Sequence, residues 1–145
     1  MFRDFFVHQN TCERRKKRIK LIFIILIILV AVHDWRYRTI PNIYPSLILL
    51  LALQRPISIV GALGVSIPML LLAMTRPGSI GGGDIKLVFA GGAFLGIDGI
   101  IKSVVAAILI CGVYCVWLVF IKKKSRKTKI AFGPFLSIGM IYAML

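Results

Sequence analysis

At 145 residues, 59% of them apolar, and with a mean hydropathy of +0.90, the chain lies well above the roughly 45 to 50% apolar usage of soluble domains. Its formal charge of +14, from 19 Lys and Arg against 5 Asp and Glu, would suit nucleic acid if it covered a soluble surface. The basic residues instead gather at 14–20 and 122–129 beside apolar runs, where they set topology and meet anionic lipid headgroups, so no nucleic-acid partner is expected.

A bilayer core about 30 Å thick asks for roughly 20 apolar residues per helical span, so five or six spans use up the chain. The expected fold class is all-α, a polytopic membrane protein of about six transmembrane helices. A basic N-terminal tail over 1–18 precedes one membrane-embedded domain over 19–145. The first apolar run, 21–32, follows basic residues as a signal peptide would, but Ala31-Val32-His33-Asp34 offers no small-residue cleavage pattern, and the run is read as a retained helix. The runs predict helices over 19–33, 43–53, 57–75, 85–97, 99–121 and 130–145. Breaks fall at Pro41-Asn42, at Gln54-Arg55-Pro56, at Arg76-Pro77-Gly78 and in the basic stretch 122–129. Pro68 falls inside the third run, where a kink is expected.

Orientation has two readings. Six crossings with the N-terminus outside put ten basic residues inside and nine outside, a near tie under the positive-inside rule. If the first run lies along the inner face without crossing, the count becomes 17 against 2. Charge favours the second arrangement, and the hydrophobicity of 21–32 favours the first.

Ionisable groups within a membrane domain are costly and usually functional. Of the five acids, Asp4 and Glu13 lie in the polar tail, and Asp98 sits between Gly96 and Gly99, where a turn or helix cap explains it. Asp34 and Asp84 abut apolar helices. Two spans separate them, so parity places both at one membrane face in either orientation. Two carboxylates sharing a site divide one proton, an arrangement that activates water and protonates a leaving amine. The alternative is that each caps a helix or pairs with Arg36, Arg38 or Lys86. Gly81-Gly82-Gly83 directly precedes Asp84; such a run permits positive φ and close backbone approach, leaving room for an extended substrate. The P-loop spacing is absent. The three cysteines, Cys12, Cys111 and Cys115, form no C-x-x-C pair and imply neither a disulfide framework nor a metal site. No cofactor is expected.

Gly81 to Asp84 resembles the G-x-G-D motif of membrane aspartyl peptidases, and the following Ile85-Lys86-Leu87 resembles the type IV prepilin peptidase branch. His33-Asp34 with Ile40-Pro41-Asn42 is similar to the segment bearing that family's first catalytic aspartate, and 131–139 resembles its last-helix motif. The resemblance implies a six-helix fold in the cell inner (plasma) membrane with an active site opening to the cytoplasm. It implies Asp34 and Asp84 as the catalytic pair, with Gly81 and Gly83 shaping the loop that holds Asp84. Its substrates would be prepilins or pseudopilins, whose basic leader precedes an apolar helix. Larger members add a cytoplasmic domain with paired C-x-x-C motifs and methylate the new N-terminus. This sequence is expected to act as a peptidase alone, without methyl transfer.

His33 stands beside Asp34, but neighbours on a helix point about 100° apart, so pairing is not assured. Lys86 either supports the charged form of Asp84 or snorkels to the interface. Phe132 and Pro134 are expected to line the groove receiving the substrate helix or to shape entry into the last span. Trp35, Tyr37 and Tyr44 fit an interfacial aromatic belt. A small proton-coupled transporter or channel subunit using Asp34 and Asp84 as a relay is the competing function. Transport sites lie near the midplane and many are built from internal repeats, whereas these acids fall at helix ends and no repeat is found.

Overall fold

The computed structural model describes residues 2–54, 56–75, 80–120 and 131–144, with side chains from Glu13 onward except that of Val119. All described elements are helices: α1 (Phe2–Tyr37), α2 (Ile43–Ala52), α3 (Ile59–Thr75), α4 (Gly82–Phe120) and α5 (Gly133–Met144). The expected breaks at 76–78 and 122–129 lie outside the described residues.

Why α1 is so long follows from its composition. The expected tail over 1–18 continues the apolar helix without interruption, because Arg, Lys and Glu are good helix formers and Glu13 meets Lys17 one turn on, at 3.8 Å. Thirty-six residues at about 1.5 Å each make a rod of roughly 54 Å, well beyond a hydrocarbon core. Its buried stripe is Ile19, Phe23, Ile27 and Val30, spaced by three and four, while Leu21, Ile25, Ile28 and Val32 face outward. Past Tyr37 the helix ends in a tight αL turn: Arg38 has φ 52, its N–H bonds the Asp34 carbonyl at 2.8 Å, and His33 Nδ1 lies 3.0 Å from the Thr39 carbonyl.

The fourth and fifth expected helices form one element with a sharp fold at Gly96, where φ is 79 and ψ 177. Only glycine adopts that conformation readily. In a straight helix residues 91 and 100 would be about 13.5 Å apart along the axis, yet a Cβ on Gly91 would lie 3.7 Å from Ile100 Cδ1. The chain therefore turns back, and arms 82–95 and 97–120 take the places of the two expected helices. The break leaves the Ala93 carbonyl without its helical partner, and the Ser58 N–H bonds it at 3.2 Å. Ser58 in turn caps α3, its hydroxyl accepting the Gly61 N–H at 3.0 Å.

α4 is the hub. It packs on α2, α3 and α5, and α1 closes the assembly against α5 and α2. Phe23 of α1 stacks on Phe94 of α4, ring centroids 4.1 Å apart. α3 crosses α4 at Gly61 and Gly92, where a Cβ on Gly92 would sit 2.7 Å from the Gly61 carbonyl carbon. The outer surface is apolar on α1, α3 and the far arm of α4, with Leu71, Val113, Val116 and Phe120 all more than half exposed. Continuous apolar surface of this extent is that of a membrane protein. Among the described residues, one stretch, Gly82–Leu118, is long and apolar enough by length and composition to cross a bilayer, and the fold at Gly96 divides it between the two arms.

The α3–α4 crossing tolerates no side chain. Gly92→Ala is expected to destabilise the protein by about 1–3 kcal/mol, read as a lowered thermal midpoint in detergent. Gly112→Ala, where a Cβ meets nothing within 4 Å, serves as the neutral control.

Candidate active site

Asp34 and Asp84 come together at one end of the bundle, which collects the C-terminus of α1 and the N-termini of α4 and α5. The two carboxylates are within electrostatic range of each other. Asp34 is buried, with 4% of its surface exposed, and Asp84 is half-buried.

Each carboxylate rests on a helix N-terminus. Gly133 opens α5, and its N–H donates to Asp34 Oδ2 at 3.0 Å. This satisfies one of the four N–H groups a helix start leaves unbonded and places negative charge where the helix dipole favours it. The fit depends on the missing side chain, because a Cβ on Gly133 would lie 2.9 Å from Asp34 Cγ. Pro134 follows, buried in the first turn, where a residue without an N–H costs nothing. Phe132 is the cap, its carbonyl accepting the Leu136 N–H at 3.1 Å.

At α4 Gly81 is the N-cap and Asp84 the third helical residue. The Asp84 N–H donates to the Gly81 carbonyl at 3.0 Å, and the Asp84 carboxylate lies back over Gly81, in the first turn where the helix dipole favours negative charge. Helix therefore begins at Gly82, three residues before the expected start at 85, and the expected loop of glycines is largely a first turn. Positive φ is not used at 81–83; among the described glycines only Gly96 has it. What the run supplies is close approach. A Cβ on Gly83 would meet Ile40 Cβ at 2.8 Å, one on Gly81 would meet Asp84 Oδ2 at 3.2 Å, and one on Gly82 would meet nothing within 4 Å.

The segment 40–42 locks onto that turn from the other side. Ile40 packs on Gly83, and Lys86 Nζ donates to Asn42 Oδ1 at 2.8 Å. Lys86 thus ties α4 to the start of α2, a role that neither sequence reading of this lysine contained. Asn42, expected from the sequence as part of a helix break and of the Ile40–Asn42 motif, makes no side-chain cap bond at the start of α2 and is free to take a distant partner. His33 turns away to the Thr39 carbonyl and lies against Tyr37 and Tyr44, at 4.7 Å and 5.8 Å between ring centroids. Trp35 and Tyr37 are exposed and Tyr44 packs on the core.

Residues 21–116 match the type IV leader peptidase family. The chain belongs to that family. The matched stretch takes in Asp34, the Ile40–Asn42 segment and the glycines before Asp84, and ends before α5. Among curated proteins, the chain is similar to the prepilin leader peptidase/N-methyltransferase of Bacillus subtilis (strain 168). They are 33% identical over 134 residues, covering 86% of this chain and 54% of the relative. It is also similar to the protein of the same name from Xanthomonas campestris pv. campestris, 39% identical over 67 residues that cover 46% of this chain and 23% of the relative. The chain thus spans about half the length of the first relative. No solved structure matches it.

The neighbouring glycines 82 and 83 separate cleanly in this geometry. Gly83→Ala is expected to lower the thermal midpoint, with a loss of about 1–3 kcal/mol from displacing Ile40. Gly82→Ala, in a helical first turn with open space around it, is expected to match or slightly exceed wild type in the same melt.

Proposed function

We propose that this protein is an aspartyl endopeptidase that removes the basic leader from prepilins or pseudopilin-like substrates, with Asp34 and Asp84 as its catalytic pair. The observation that carries the reading is the meeting of these two carboxylates at one end of the helical bundle, held by separate helices and backed by backbone N–H donors. Two relatives named as prepilin leader peptidase/N-methyltransferases support the substrate class. Family membership favours the peptidase over the transporter alternative.

In this mechanism one carboxyl holds a proton and the other is charged. A water molecule between them gives a proton to the charged carboxylate as its oxygen attacks the scissile carbonyl, and the protonated partner donates to the carbonyl oxygen. Collapse of the tetrahedral intermediate returns a proton to the leaving amine. The Gly133 N–H holds the Asp34 carboxylate, a backbone donor that neither titrates nor swings away, and Gly81 lies close beside Asp84 Oδ2. Gly82, open on its outer side, leaves room for substrate backbone to pass beside Asp84.

The same reading places the protein in the inner membrane as a multi-pass chain of about six helical spans, its catalytic end toward the cytoplasm. Arg36, Arg38 and Lys86 lie at that end, while the basic cluster 14–20 lies toward the opposite end of α1, so the cytoplasmic orientation rests on the family likeness and not on the positive-inside count. Anionic lipid is the expected surface partner of these residues.

Asp34→Asn and Asp84→Asn are each expected to lower cleavage of a co-expressed model prepilin by about 10²–10⁴-fold or more, read by intact mass at equal membrane levels of the enzyme. Cleavage persisting at wild-type rate in either variant would remove that carboxylate from the mechanism.

A further inference from the structure

α2 and α3 are consecutive in the chain, yet they do not pack on each other; each packs on α4. Between them lies a cavity of about 550 Å³. Its floor is one face of α4, formed by Ile85, Lys86, Phe89 and Ala90, and its far wall includes Leu63 and Ile67 of α3. Leu63, Ile67 and Leu70, which line it, are 41%, 48% and 48% exposed.

Resting on the peptidase reading, we propose that this cleft is the docking groove for the apolar helical segment of the substrate. Continuity with the catalytic end supplies the first reason. The floor begins at Ile85, the residue after Asp84, so a segment seated on it presents its near end to the carboxylates. Length supplies the second. The α3 wall from Leu63 to Leu70 runs about 10 Å, or two helical turns, enough to hold the first turns of an apolar helix in register with the bond to be cut.

Polarity is graded along the groove in the same sense. At the head, level with the catalytic end, stands the Asn42–Lys86 hydrogen bond; beyond it the lining is apolar. The two serines of the lining add little polarity, because Ser46 and Ser66 return their hydroxyls to carbonyls of their own helices, at Asn42 and Ala62. Ala90 and Ser66 are small, which lets another backbone come close. A chain polar at its cleavage junction and apolar beyond it matches this gradient. A second cavity, of about 470 Å³ between the far arm of α4 and Phe135, has no lining residue adjacent to either carboxylate in sequence and serves as the rival site.

The test uses the full-length enzyme in proteoliposomes, a full-length model prepilin, and a short peptide carrying only the leader and cleavage junction. Leu63→Trp and Ile67→Trp, both at exposed positions, are expected to raise KM for the full-length prepilin by about tenfold or more with kcat near wild type, and to leave cleavage of the short peptide unchanged. A photoreactive residue at position 67 is expected to capture the prepilin, and one at position 113 is not; this arm holds even if a Trp variant folds poorly. With wild type active, an unchanged KM in both Trp variants would overturn the proposal, as would capture from position 113 in place of 67, or capture at 67 of lipid or a second copy alone. Wild type silent on every prepilin would sink the peptidase reading itself, and the groove's assignment with it.

Discussion

A buried carboxylate needs donors, and Asp34 finds one in the first N–H of the last helix. The bond joins residues 99 positions apart, and much of the site's form follows from it. It fixes where α5 begins, and it demands glycine at 133 because the carboxylate fills the space a side chain would take. It also lets Pro134 sit harmlessly one residue later, in a turn whose own donors have no partners within the helix. With Asp34 anchored, the turn after α1 delivers Ile40 against Gly83 and Asn42 against Lys86, and this brings Asp84 to the same end. The site is thus an agreement between three helix termini.

Backbone donors suit this task. A side-chain donor of positive charge would hold a carboxylate in one ionisation state, whereas a peptide N–H at a helix end favours negative charge without adding a full countercharge. The acids keep the freedom to exchange a proton, which the proposed mechanism uses. Arg36 stands close in sequence but lies over the Tyr37 ring, at 5.8 Å, and Arg38 supplies the backbone of the left-handed turn.

Sequence reasoning reached the pair Asp34 and Asp84 because parity of spans and the high cost of ionisable groups in lipid are properties of the pattern alone. It reached close approach at the glycines for the same reason, since a missing Cβ is visible in any sequence. It did not reach how that freedom is used: three glycines suggest an unusual backbone, but the first turn of α4 takes two of them into ordinary helix. Nor did it reach the Asn42–Lys86 bond, a pairing set by how α2 and α4 pack. The reversal between residues 97 and 99 was expected near the right place. Asp98 drew attention there as a turn former, whereas the fold is made by Gly96. The long α1 was missed because charge marked the tail as separate, while helix propensity, to which charge is no obstacle, continued it.

The fold at Gly96 also bears on the order in which the molecule assembles. Contacts between the arms of α4 close a loop of fewer than ten residues around Gly91 and Ile100, which carries a small entropic cost. This helical hairpin is built to form early and to offer a platform for α2 and α3. The donor that Asp34 requires comes from α5, nearly a hundred residues downstream in the chain. The carboxylate therefore lacks this partner until α5 has docked.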